Sequence, residues 1–155
     1  MPTLAAQTRL HDRLRSETRA EVFFDPGRRG LYATDASLYQ IDPIGVVVPR
    51  TVDDVIQAVR IAAEEGVPVL PRGAATSLSG QTIGPALVLD VSKYLNRVGV
   101  VDRDRMTVRA AAGLDDRTYR RARQRRCDGP WRPALAVNAS SPAACDQLWA
   151  AGTRG

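Results

Sequence analysis

The chain is poor in the residues that hold small extracellular domains and metal centres together. Across 155 residues it carries two cysteines, Cys127 and Cys145, and one histidine, His11. Two thiols make neither a disulfide framework nor a four-ligand metal set, so a cytoplasmic protein with free thiols is expected and no metal site is. The opening, Met1 to Ala6, lacks a basic stretch followed by an apolar one, so no signal peptide is read there. No apolar run approaches the roughly eighteen residues of a membrane span. Lysine is nearly missing too: Lys93 is the only one, and every other basic residue is an arginine. Two familiar phosphate-binding patterns are absent as well. Gly80 is followed by Gln81, which excludes a Walker loop, and no G-x-G-x-x-G occurs.

What is present is enough for a folded body. A hydrophobic share of 44% supports a buried core and argues against a wholly disordered chain. The net charge of +5 comes from one place. Arg117, Arg120, Arg121, Arg123, Arg125 and Arg126 alone exceed it, and upstream of Arg117 the charges nearly balance. The basicity marks a tail and not the body.

Periodicity gives the elements. Residues 4–18 read as a helix with a thin stripe of Leu4, Leu10 and Leu14, and residues 21–24 as a short extended piece before a turn at Asp25-Pro26-Gly27. Residues 44–48 are β-branched and closed by Pro49, as in a buried strand. Residues 51–65 carry the strongest helix pattern. Thr51 and Asp54 are spaced as a capping pair, Val52, Val55, Ile56, Val59 and Ala63 form its apolar face, and Gly66 stands where a left-handed cap belongs. Strands are expected at 67–70, 86–89, 98–101 and 106–110, the last two joined by a polar turn at 102–105. This order is α+β, a small mixed or parallel sheet flanked by helices, rather than regular doubly wound alternation. After Gly113 the periodicity ends. Residues 114–155 are expected to be poorly ordered alone, leaving an N-terminal helix at 1–19 and a body at 20–113.

The segment Pro71-Arg72-Gly73-Ala74-Ala75-Thr76-Ser77-Leu78-Ser79-Gly80-Gln81 leaves the end of an expected strand. Its small residues allow successive N–H groups to face one concavity, which suits an anion, and Thr76 and Ser77 add hydroxyls. Neutral donors of this kind hold a diphosphate at about 1.5–3 kcal/mol per bond, because the acceptor is charged. An ordinary small-residue turn would read the same way on spacing alone.

Residues 67–81 resemble the pyrophosphate loop of the vanillyl-alcohol-oxidase (PCMH-type) FAD-binding domain, in which Arg-Gly, small residues, Thr-Ser and Gly-Gln recur. The resemblance extends to Asp35-Ala36-Ser37 with Tyr39, to Pro43 through Arg50, to the capped helix, and to Leu89 through Arg97. It covers residues 20–113, and the FAD-linked 2-hydroxy-acid dehydrogenases of lactate, glycolate or 2-hydroxyglutarate type are the most similar in motif order. It implies FAD as cofactor, with Arg72, Gly73, Ala74, Ala75, Thr76, Ser77, Gly80 and Gln81 around the diphosphate and Pro71 ending the strand before them. With no histidine in the loop, non-covalent FAD is implied. Ala75 stands where glycine is expected, so it requires a negative φ or costs about 1 kcal/mol or more. The family activity implied is oxidation of a 2-hydroxy acid, with electrons passing to a second acceptor, in some relatives an iron–sulfur module.

After Asp116 the resemblance stops, and no second FAD segment, substrate domain or catalytic residue is recognised. The expectation is a truncated or frameshifted reading of a longer gene, incomplete as an enzyme, which sequencing the downstream DNA would test. The alternatives are a non-catalytic remnant or a nucleic-acid binder using the arginine tail. The Gly27-Arg28-Arg29-Gly30 run has the G-x-x-G form of a KH loop, but Asp25-Pro26 precedes it instead of an aliphatic residue, so no specific nucleic acid is expected. An open sheet edge pairing with another subunit is a third reading. His11 is expected to be a solvated residue of the first helix.

Overall fold

The computed structural model describes residues 3–102 and 107–114. Helix α1 (Leu4–Glu17) is capped by Thr3, whose hydroxyl accepts from the Ala6 N–H. Strand β1 (Glu21–Phe23) follows, then a one-turn helix α2 (Pro26–Gly30), β2 (Gly45–Val48), α3 (Val52–Glu64), β3 (Val69–Arg72) and β4 (Leu87–Asp90). The sheet order is β1-β2-β4-β3; β1 runs antiparallel to β2, while β2 and β3 both run parallel to β4. A separate hairpin, β5 (Val98–Asp102) and β6 (Thr107–Ala110), completes the described residues. This is the mixed-sheet α+β arrangement that the sequence order implies.

The central strands are covered on both faces, which is why they read as unbroken apolar runs. On one face Val47, Leu87 and Leu89 pack with Leu10 and Leu14 of α1 and with Ala58, Ile61 and Ala62 of α3. On the other, Val46, Val48 and Val88 pack with Phe23, Tyr32, Leu70 and Tyr94. Helix α1 therefore shares the core of the body. His11 is not fully solvated as expected: it sits edge-on to Phe24, ring centroids 5.3 Å apart, and lies 2.9 Å from an Asp12 carboxylate oxygen.

Three local expectations change. The cap of α3 is as read, with Thr51 and Asp54 reciprocating, but the buried face is a different one. Ala58, Ile61 and Ala62 face the core with Val55 half-buried, whereas Val52 is 64% and Ile56 57% exposed. The cause is Asp54, only 5% exposed, which accepts from the backbone N–H groups of Arg19, Arg50 and Thr51. Anchoring that carboxylate inward turns its side of the helix to the core.

Strand β3 begins two residues later than expected. Val67 is used to stop α3: its N–H donates to Ala62 O and that of Gly66, at φ +65°, to Ala63 O, the paired bonds of a left-handed helix stop. Pro71 consequently lies inside β3, opposite Leu89, instead of ending the strand. It is tolerated because Pro68 and Arg72 offer their carbonyls to β4, so residue 71 faces the open edge, where a missing N–H breaks no ladder bond.

The expected turn at Asp25 is instead the cap of α2, with Asp25 Oδ1 accepting from the Arg28 N–H. The G-x-x-G run is thus itself helical and not a loop between helices. Cys127, Cys145, the arginine tail and the turn residues 103–105 lie outside the described residues. Among the described residues no helix is long and apolar enough to cross a membrane.

Candidate functional site

Parallel strands bring their carboxyl ends to one edge, where connections gather and ligands are commonly held. Here β3 delivers residues 73–81 to that edge. Arg72, the last strand residue, is 8% exposed and directs its guanidinium inward. Its Nη1 donates to Tyr32 O at 3.1 Å and Thr82 O at 3.2 Å, and its Nη2 to Thr34 O at 2.8 Å. Burial pulls its pKa down, partly offset by Asp90 and Asp35 nearby. The only cation of the loop segment is therefore directed into its scaffold.

Beyond Arg72 the backbone opens. None of the N–H groups of Gly73, Ala74, Ala75, Thr76 and Ser77 donates to an acceptor among the described residues. Ala75 has φ +56°, the one non-glycine residue in the left-handed region among the described residues, while its neighbours keep negative φ. A left-handed residue next to right-handed ones is one backbone arrangement that gathers successive N–H groups around an anion. The alanine that was expected either to avoid this conformation or to be strained by it adopts it. Its carbonyl is held by the Ala36 N–H at 3.2 Å.

The hydroxyls divide their tasks. Thr76 is exposed and free to meet a ligand. Ser77 is 3% exposed, and its Oγ accepts from the N–H groups of Ser79 and Gln81 and donates to Gln81 Oε1. Ser77 and Gln81 thus close the loop on itself. Gly80, at φ +70°, lies under the Tyr39 ring, which a Cβ would approach to 2.9 Å.

A second segment, residues 32–41, buttresses the loop. Asp35 Oδ2 accepts from Thr82 Oγ1 at 3.1 Å and Thr82 N at 3.4 Å, and its Oδ1 from Ser37 N at 2.8 Å. Its hydrogen bonds to Ser37, helped by Thr82, hold this carboxyl below its ordinary pKa against the opposing effect of burial. The Tyr32 hydroxyl donates to Asp90 Oδ2 at 2.8 Å, and Asp90 Oδ1 accepts from Ser92 N and Oγ. Burial, then the Asp90 bond, raises the Tyr32 pKa, keeping it a donor. Tyr32, Asp35, Thr82 and Asp90 had no assigned role from sequence; only the Asp-x-Ser pattern of a local side-chain turn marks Asp35. The remaining cations at these strand ends, Arg50 and Lys93, both meet Glu21, at 3.4 and 2.8 Å.

Comparison with known proteins places this site in context. A family model described as an FAD binding domain matches residues 43–125, starting and ending later than the span of recognised motifs. D-2-hydroxyglutarate dehydrogenase of Escherichia coli strain K12 is 36% identical over 85 residues, which are 53% of this chain and 8% of the relative. Glycolate oxidase subunit GlcD of Bacillus subtilis strain 168 is 33% identical over 96 residues, 59% of this chain and 20% of the relative. Among solved structures, an alkyldihydroxyacetonephosphate synthase superposes with a TM-score of 0.66 at 18% identity, over 76% of this chain and 27% of its own; that likeness shows the fold alone. The chain spans a small part of each of these proteins.

Proposed function

The chain belongs to the FAD binding domain family, and on that premise we propose that residues 73–81 hold the diphosphate of a non-covalently bound FAD, as one part of an oxidoreductase for a 2-hydroxy acid such as lactate or glycolate. The observation that carries this reading is the run of unbonded N–H groups from Gly73 to Ser77 around a left-handed Ala75. The residues fit the group: a diphosphate needs several donors, and this loop leaves five consecutive N–H groups on small residues without an acceptor among the described residues. The N–H groups of Gly73, Ala74, Ala75, Thr76 and Ser77 would hold the phosphate oxygens, with the Thr76 hydroxyl as a further donor and Gly80 and Gln81 completing the loop. When bound, FAD supplies the two-electron acceptor for oxidation of the hydroxyl-bearing carbon.

No described residue is assigned to move the substrate proton. The similar dehydrogenases are several times longer, and substrate recognition and transfer to a second acceptor, such as an iron–sulfur module, belong in this proposal to sequence outside the 20–113 body. Non-covalent attachment follows from the lack of histidine in the loop, since His11 lies on α1. A cytoplasmic location is proposed on the low cysteine content, two in 155 residues.

Titration of the purified chain with FAD, followed by quenching of flavin fluorescence, tests the proposal. Saturable binding at micromolar concentration, lost in Gly73→Val and Ser77→Leu, is expected. Absence of saturable binding would mean that this chain does not hold FAD by itself and would leave only its family membership standing.

A further inference from the structure

The segment that meets the diphosphate begins with an arginine, and the obvious assignment for an arginine beside phosphate is a direct contact. The geometry points the two terminal nitrogens elsewhere. The guanidinium is buried, and three of its five N–H donors go to main-chain carbonyls from separate stretches: Tyr32 and Thr34 before β2, and Thr82 after the loop. Its plane also lies over the Tyr32 ring, 5.2 Å from the centroid. Among the described residues no carboxylate stands within salt-bridge distance of it, so the carbonyls do the work of solvation that a buried cation requires.

We propose that Arg72 is the positioning residue of this site, holding the start of the loop, its end at Thr82 and the buttress at residues 32–35 in one geometry without touching the ligand. Each of these points is fixed again from the other side. Tyr32 is tied to Asp90, Thr82 to Asp35, and Ala75 to Ala36, so the planar fork of Arg72 closes a ring of contacts beneath the concavity. Only a guanidinium serves, because several donors must leave one plane in divergent directions; an ammonium offers its donors from a single point. The Ala75 carbonyl is held by the Ala36 N–H, so the buttress supports the loop at its left-handed residue.

This inference rests on the diphosphate reading of the loop, and its test separates the two. Arg72→Lys and Arg72→Ala are compared with the unaltered full chain by amide hydrogen exchange and by FAD titration, with the exposed Arg60→Ala as control. Exchange at the hydrogen-bonded amides of segments 33–37 and 73–82, which are Ala33, Ala36, Ser37, Ser79, Gln81 and Thr82, is expected to accelerate by roughly tenfold or more in both Arg72 variants, as for loss of a charged hydrogen-bonded group, while α1 and α3 keep their protection. FAD affinity is expected to fall by about the same factor, and in Arg72→Ala millimolar methylguanidinium restores it whereas methylammonium does not. Unchanged exchange in those segments would overturn the inference whether or not the chain binds FAD. Wild-type affinity in Arg72→Lys, or equal rescue by methylammonium, would overturn it too, by showing that charge and not the fork matters. Failure of the unaltered chain to bind FAD would instead overturn the functional reading, leaving the exchange result to decide the role of Arg72.

Discussion

Helix α3 and the loop at residues 73–82 follow one another across a single strand and handle polar groups in opposite ways. In α3 the chain ends are closed: Thr51 and Asp54 satisfy the first turn, and Gly66 and Val67 satisfy the last carbonyls. In the loop the side chains do the closing. Arg72 takes the Tyr32, Thr34 and Thr82 carbonyls, Ser77 the Ser79 and Gln81 N–H groups and Asp35 those of Ser37 and Thr82, while the main-chain N–H groups from Gly73 to Ser77 have no acceptor among the described residues. The frame hides its backbone donors, and the site hides its polar side chains so that its backbone donors can be used.

The contrast can be broken most severely at the frame. Asp54→Ala strips an acceptor from several backbone N–H groups at a buried helix start, and a loss of about 2–4 kcal/mol in urea unfolding is expected. A loss under about 1 kcal/mol would show that Asp54 does not anchor the helix. The effect depends on pH with a definite sign. Burial pushes the Asp54 carboxyl up, but the hydrogen bonds from Arg19, Thr51 and Arg50 together outweigh it and leave its pKa below the ordinary 3.8. The group therefore contributes stability above that value, and the gap between wild type and Asp54→Ala should close as pH falls below it.

The next effect concerns the loop alone. Ala75→Val places a β-branched side chain at φ +56°. FAD affinity should drop by about 2 kcal/mol, roughly thirtyfold, with the urea midpoint nearly unchanged. A midpoint falling as far as the affinity would mean that loop and frame are not separable. In the opposite direction, Ala75→Gly relieves the left-handed alanine and should tighten FAD binding by up to about 1 kcal/mol. A weaker complex would show that the methyl group itself meets the ligand. The smallest effect is that of salt. With Arg72 turned inward and Lys93 and Arg50 engaged by Glu21, FAD affinity should change by less than about twofold over the range in which ordinary surface charges are screened. A steep decline would point to an unassigned cation at the phosphates.

What the sequence showed follows how local each feature is. The cap of α3, its glycine stop and the central valine strand depend on neighbours within a few residues, and all are legible. The buried face of α3 is not, because Asp54 was read only as a capping residue, while a further partner that draws it inward, the Arg19 N–H, lies 35 residues earlier. Strand β3 shifted because Val67, apolar and buried as expected, serves as the helix stop. The small-residue loop was visible as an anion site, since its signal is local composition. The inward turn of Arg72 was not, because it answers carbonyls 40 and 38 residues away, beyond the reach of any spacing rule.

The most direct test of the central claim, that backbone donors and not side-chain cations hold the diphosphate, is a nitrogen–proton correlation spectrum of the isotope-labelled chain titrated with FAD. The expected result is that the amide signals of residues 73–77 move furthest and downfield, saturating with the flavin fluorescence, while the Arg72 side-chain signal stays in place. Saturating binding with those amides unmoved, or with the Arg72 guanidinium shifting first, would contradict it.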